Sequence, residues 1–131
     1  MSPMSTARRV AALVPEEQVN VIREALAIVG VKVVHAADLQ QAAQSSATVI
    51  LCDADSRGGW PGVMRESVMP EILSRQPKAR VILLSRLADE HMWVEALNAG
   101  AHDLLPKPCP QRELCSAVRS ALNPRWAAQA A

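Results

Sequence analysis

Short apolar runs alternate along this chain with longer segments whose apolar residues recur every three or four positions. Arg8–Val14 (RRVAALV) reads as a strand. Pro15 opens a helix with Glu16 and Glu17 in its first turn, where carboxylates favour the helix dipole. Val19, Ile22, Leu26 and Val29 follow at helical spacing, and Gly30 is a stop signal. Val31–Ala36 is a second strand, and Asp38 caps a short helix through about Ser45. Thr48–Cys52 (TVILC) is continuously apolar, as expected of a strand covered on both faces. Asp53–Gly62 is a polar, Gly-rich loop. A helix follows to about Arg75, with a kink or late start at Pro70. After a turn at Pro77, Arg80–Leu84 is the fourth strand. Asp89 caps a helix to Ala99, ended by Gly100. Asp103–Leu105 is the fifth strand. Pro110 or Gln111 starts a last helix with Leu114, Val118 and Leu122 on one face, stopped at Asn123–Pro124.

Strands alternating with helices predict an α/β fold, a parallel sheet with helices on both faces and right-handed crossovers. The 131 residues suit one domain. Residues 8–123 carry the pattern. Residues 1–7 are expected to be a disordered N-terminus, and 124–131 a tail or the start of a linker. Half the residues are apolar and 21% are charged, as in ordinary globular domains. A net charge of +1 provides no field to attract DNA or an anionic membrane. With no Tyr or Phe and three Trp, aromatic platforms for single-stranded nucleic acid are not expected. The three cysteines, Cys52, Cys109 and Cys115, form no CxxC pair, which suits a reducing cytoplasm better than a disulfide framework. The histidines His35, His91 and His102 lack metal-ligand spacing.

The candidate chemistry lies where three apolar runs end. Thr48–Cys52 ends on Asp53, Val81–Leu84 on Ser85, and Leu104–Pro106 on Lys107. In an open parallel sheet, ligands bind outside the carboxyl ends of the strands. A carboxylate, a hydroxyl and an ammonium gathered there suit a phosphoryl group. The carboxylate needs no base to act as a nucleophile, and the transferred charge needs fixed cations and donors.

From about Arg8 to Leu122 the chain resembles the receiver domain of bacterial two-component response regulators. The most specific stretch is Ser85–Pro108 (SRLADEHMWVEALNAGAHDLLPKP): a hydroxyl residue, Asp89 four residues on, Ala-Leu-x-Ala-Gly-Ala at Ala96–Ala101, then Lys-Pro. Val49–Asp53 (VILCD) resembles the strand that carries the phosphoacceptor. The resemblance implies a flavodoxin-like fold with five parallel strands in the order 2-1-3-4-5 and a cis Lys107–Pro108 bond. It also implies a cytoplasmic phosphorelay protein rather than an enzyme. Asp53 is then the acceptor of a phosphoryl group from a sensor histidine kinase or phosphotransfer protein. Ser85 binds a phosphoryl oxygen and couples it to loop movement, and Lys107 pairs with Asp53. A downstream output domain or protein, and a homodimer through the fourth helix, fifth strand and fifth helix, are the further partners implied.

The acidic pair that normally follows the first strand and holds Mg2+ is missing. One register places Val14 and Pro15 there, the other Leu13 and Val14. Magnesium is therefore expected to bind weakly or not at all, through Asp53, the backbone carbonyl of Asp55, the donor phosphate and at most Glu16, with the Asp55 carboxylate as a further contributor. Without the acids, Asp53 and Lys107 form a nearly neutral pair. Arg86 follows the hydroxyl where a small residue is common; it is placed to cover the site, pair with Asp53 or meet a phosphoryl group. Leu104 stands three before Lys107, a position often aromatic in the family. Trp93 is a packing or partner residue, and so is Trp60 in the longer loop after Asp53. Two other readings stay open. One is a pseudo-receiver that binds proteins without being phosphorylated. The other is a small flavodoxin-like binding protein or enzyme, for which no Gly-rich phosphate cradle follows the first strand.

Overall fold

The computed structural model describes residues 9–57 and 68–123. The strands are β1 (Arg9–Leu13), β2 (Lys32–His35), β3 (Val49–Asp53), β4 (Arg80–Ser85) and β5 (Asp103–Pro106). The helices are α1 (Glu16–Ala27), α2 (Leu39–Gln44), α3 (Val68–Arg75), α4 (Glu90–Asn98) and α5 (Gln111–Leu122). All strands are parallel, in the order β2-β1-β3-β4-β5. This is the five-stranded doubly wound arrangement that the alternation and the resemblance imply.

The capping chemistry falls where the sequence places it. Asp38 accepts a hydrogen bond from the Gln41 amide at 2.8 Å, and Asp89 accepts one from the Met92 amide at 2.9 Å. Each satisfies a donor that the first helical turn leaves without a partner. Gly100 closes α4 with φ +103°, and a Cβ there would lie 2.8 Å from Leu73 Cδ1 of α3. The backbone conformation favours glycine at this position, and any larger residue would also have to displace the end of the Leu73 side chain. Pro70 sits in the first described turn of α3. The residues that precede Val68, and with them the kink or late start expected at Pro70, lie outside the described residues, as do residues 1–8, the part of the Gly-rich loop from 58 on with Trp60, and residues 124–131. The Lys107–Pro108 bond is cis.

Alternate strand residues feed two cores, one on each sheet face. Ala11, Leu13, Ile50, Cys52, Val81 and Leu83 meet Met69, Ile72 and Ala96 on one side. Val10, Ala12, Val49, Leu51, Ile82 and Leu84 meet Val19, Ile22, Leu26, Leu114 and Val118 on the other. Each large aliphatic side chain fully removed from water contributes roughly 2 kcal/mol. Two-sided burial explains why β3 and β4 read as unbroken apolar runs. In this setting Asp53 and Ser85 are the only buried polar or charged side chains among the described residues. Both lie at the carboxyl edge of the sheet. No helix among the described residues is long and apolar enough to cross a membrane.

Candidate functional site

The site is built at the ends of β3, β4 and β5, with the first turn of α1 closing one side. The strand ladder sets the relative heights: Asp53 is in register with Leu84, and Ser85 with Pro106. Lys107 is the next residue after β5, so its side chain starts just beyond the sheet edge. Its ammonium reaches Asp53 Oδ1 at 2.9 Å. Asp53 is 1% exposed.

Asp53 also shapes the chain that follows it. Its Oδ1 accepts the Asp55 amide at 3.0 Å, and its main-chain oxygen accepts the Ser56 hydroxyl at 3.1 Å. A carboxylate that binds the backbone two residues on turns the chain back on itself. A short 3-10 turn at Asp55–Arg57 follows. This turn brings the Asp55 carboxylate into the site. Its Oδ1 accepts from the Ser85 hydroxyl at 3.1 Å. Its Oδ2 accepts from the Arg86 amide at 3.1 Å and lies 3.2 Å from Lys107 Nζ and 3.4 Å from Arg86 Nε. Ser85 in turn accepts the Leu87 amide at 3.0 Å.

Partial burial pushes the Asp55 carboxyl upward, but the Arg86 amide, Lys107 and Ser85 together outweigh it and hold the pKa below the usual carboxylate value. Burial pushes Lys107 downward, but hydrogen bonds and charge from Asp53 and Asp55 outweigh this and raise its pKa. Two carboxylates, one ammonium and one guanidinium therefore stand together with a formal sum of zero. The neutral Asp53–Lys107 pair expected from the sequence is a neutral group of four.

The structure thus brings Asp53, Ser85, Lys107 and Arg86 together and adds the Asp55 side chain. Two expectations need correction. Arg86 pairs with Asp55 rather than Asp53, because the turn after β3 carries the Asp55 carboxylate to the end of β4. Asp55 joins the site through its carboxylate, the second of the two contributions expected of it, and that carboxylate meets Ser85, Arg86 and Lys107. Glu16 and Glu17 are exposed, and among the described residues neither joins Asp53. The helix turn that points them outward brings Gln18 inward instead. Gln18 Nε2 donates to Asp53 Oδ2 at 2.9 Å. Gln18 is not an acid and so does not stand out as a ligand in the sequence; its signal is its place four residues before Ile22 on the buried stripe of α1.

The other singled-out residues lie outside this cluster. Leu104 is buried in the core beside α4. Trp93 is 45% exposed, and its indole N–H lies 3.4 Å from Asp103 Oδ1. His35 contacts the Val14 carbonyl, His91 pairs with Glu95, and His102 meets Ser120. Cys52 is buried, and Cys109 and Cys115 are partly buried; all three are free thiols. Burial first, then nearby Glu113 and Asp103, push the Cys109 thiol up to about 11.

A buried carboxylate at the end of the central strand is thus held by a strand-end lysine and stands beside a strand-end hydroxyl on a doubly wound sheet. The family model for the response regulator receiver domain matches residues 15–119, and the chain belongs to that family. It is 32% identical over 114 residues to the C4-dicarboxylate transport transcriptional regulatory protein DctD of Pseudomonas aeruginosa. That match covers 79% of this chain and 22% of the relative, so the chain spans about a fifth of the relative's length. The fold matches the Francisella response regulator 1452 receiver domain with a TM-score of 0.66 at 24% identity, covering 89% of this chain and 97% of that one. It matches the beryllofluoride-activated NtrC4 receiver domain dimer with a TM-score of 0.72 at 19% identity, covering 89% and 97%.

Receiver domains typically hold Mg2+ in an acidic pocket. The donors here do not fit one. Leu13 and Val14, buried in the core, and Pro15 occupy the corner where the acids belong. Asp53 Oδ2 faces an amide N–H, and the two carboxylates are already balanced by Lys107 and Arg86. Among the described residues no three His, Cys, Asp or Glu side chains gather as metal ligands.

Proposed function

We propose that this chain is a receiver module of a two-component system in which Asp53 accepts a phosphoryl group from a sensor histidine kinase or phosphotransfer protein. The observation that carries this reading is the 2.9 Å contact of Lys107 Nζ with a carboxylate that is 1% exposed. A buried carboxylate paired at a strand end is a poor choice for stability alone, because desolvation offsets much of the attraction. It is a good choice for a nucleophile whose product carries more charge.

In the transfer, an Asp53 oxygen attacks phosphorus and the P–N bond of the donor's phosphohistidine breaks. Its electron pair stays on the imidazole nitrogen, and an acyl phosphate P–O bond forms. Lys107 neutralises charge on the phosphoryl oxygens. Ser85 and Arg86 reach the same space by giving up their contacts with Asp55. The exchange at Ser85 and Arg86 would carry the change toward α4, β5 and α5. That face bears Trp93, Val94 and Leu97, all exposed, and suits an output domain or a second copy of the chain. The three free thiols suit a reducing cytoplasm.

The test is incubation with acetyl phosphate or a phosphorylated donor protein, followed by intact-mass analysis. A gain of one phosphoryl group that Asp53→Asn abolishes is expected; no gain under either donor overturns the reading. The pseudo-receiver reading has a specific observation in its favour. Gln18 and Lys107 satisfy Asp53, and Arg86 helps Lys107 balance Asp55, so the resting site is already complete. Its outcome is the unmodified mass together with an intact protein-binding face.

A further inference from the structure

The corner of the site beneath α1 differs in kind from the strand-end side. Gln18 is the third residue of α1, and its main-chain N–H donates to the Pro15 carbonyl at 2.9 Å. Its side chain spans from the helix to Asp53 Oδ2, where the partner must be a donor because a carboxylate only accepts. The amide nitrogen therefore faces the acid, and the amide oxygen faces away from it. A hard dication asks for the opposite arrangement, oxygen ligands converging on one point and an excess of negative charge.

The charge count points the same way. Asp53 and Asp55 supply two negative charges, and Lys107 and Arg86 supply two positive ones. Adding a dication would leave the group at a formal +2, with Lys107 Nζ already 2.9 Å from Asp53 and 3.2 Å from Asp55. Like charges at such separations repel by several kcal/mol unless water screens them, and Asp53 is buried. A single carboxylate at position 18 would reverse both conditions at once. It would turn an oxygen toward the point that Asp53 Oδ2 faces and add the missing negative charge.

We infer that Gln18 is the residue that keeps divalent cations out of the Asp53 site, holding the carboxylate with a neutral amide where a metal would otherwise bind. This rests on Asp53 being the centre of the site. Its test reads cation binding rather than phosphorylation, so the two readings fail separately. Gln18 is a positioning residue: it fixes the Asp53 carboxylate and sets which partners that carboxylate accepts.

The experiment is a Mg2+ titration by calorimetry on the full chain. Mn2+ broadening of the backbone amide signals of Asp53 and Asp55 reports location. The wild type is expected to show no saturable binding through the millimolar range. Gln18→Glu is expected to saturate at least about tenfold more tightly, about 1.4 kcal/mol. The gain should be lost in Gln18→Glu combined with Asp53→Asn. In Gln18→Glu, Mg2+ should also raise a melting temperature that the extra carboxylate has lowered, an effect that a purely structural change would not produce. Wild-type binding within tenfold of the variant, no gain in a folded variant, or broadening centred away from Asp53 would overturn the inference. Should Gln18→Glu fail to fold, Gln18→Asp is titrated in its place with the same expectation, and saturable wild-type binding overturns the inference in either case.

Discussion

On one side of Asp53 the ends of β4 and β5 present Ser85 and Lys107; on the other, the β1–α1 corner presents Val14, Pro15 and Gln18. The strand-end side carries a hydroxyl that donates to Asp55 and an ammonium that donates to Asp53. The helix corner carries hydrocarbon and an amide where the family usually places acids. Both sides stand on equally regular structure, since β1 pairs with both β2 and β3 along its length. The difference therefore lies in side-chain chemistry and not in the backbone. A fold can hold a nucleophile in place while the electrostatic terms of its use change around it.

The strongest way to break the comparison is on the strand-end side. Lys107→Met keeps the aliphatic stem and removes the charge shared by Asp53 and Asp55. Leaving a buried carboxylate without its cation should cost about 3 kcal/mol in a urea melt. It should also abolish any phosphoryl gain from acetyl phosphate. An unchanged midpoint would show that Asp53 is not held by this ammonium.

The helix corner should respond less. Gln18→Ala removes one of three hydrogen bonds to the Asp53 carboxylate and admits water to a half-buried position. A loss of about 1 kcal/mol is expected by the same measurement. A loss as large as that of Lys107→Met would mean that the corner, not the strand ends, anchors the acid.

The smallest effect sharpens the picture through pH. The Asp55 pKa is lower in the fold than in the unfolded chain, so the unfolded state takes up protons first as pH falls. Its stabilisation is complete above the ordinary carboxylate pKa and fades as pH drops through the lowered value. The Lys107 pKa is raised, so its contribution is complete below the ordinary lysine pKa and fades as pH climbs through the raised value. Melting temperatures should be level around neutrality and fall at both extremes. Asp55→Asn should flatten the acid limb; an unaltered limb would assign acid unfolding to other groups.

Much of this was legible in the residues. Continuous apolar runs at β3 and β4 reveal two-sided burial, so the polar residue ending each run marks the sheet edge. That logic finds Asp53, Ser85 and Lys107 without coordinates. It names the Asp55 side chain without its partners, because the turn that returns it is made by Asp53's own carboxylate, a contact across two residues with no periodic signature. Gln18 was missed because the search was for acids. The signal was present: stepping back four residues along the stripe from Leu26 and Ile22 reaches a polar residue facing the sheet. Arg86 was placed correctly in sequence but not in partner, since the choice between Asp53 and Asp55 depends on that same turn.

The cancellation among Asp53, Asp55, Arg86 and Lys107 also bears on how fast a donor finds the site. Fields from exposed charges fade over about 8 Å at physiological ionic strength, and this cluster has no net charge to project. The whole chain adds only +1. On the proposed reading, a phosphodonor would therefore not be drawn in from a distance. Its encounter rate belongs to the orientation-limited range of about 10⁵–10⁷ M⁻¹s⁻¹, nearly indifferent to salt. Partner choice then depends on the shape and apolar contacts of the surfaces that meet.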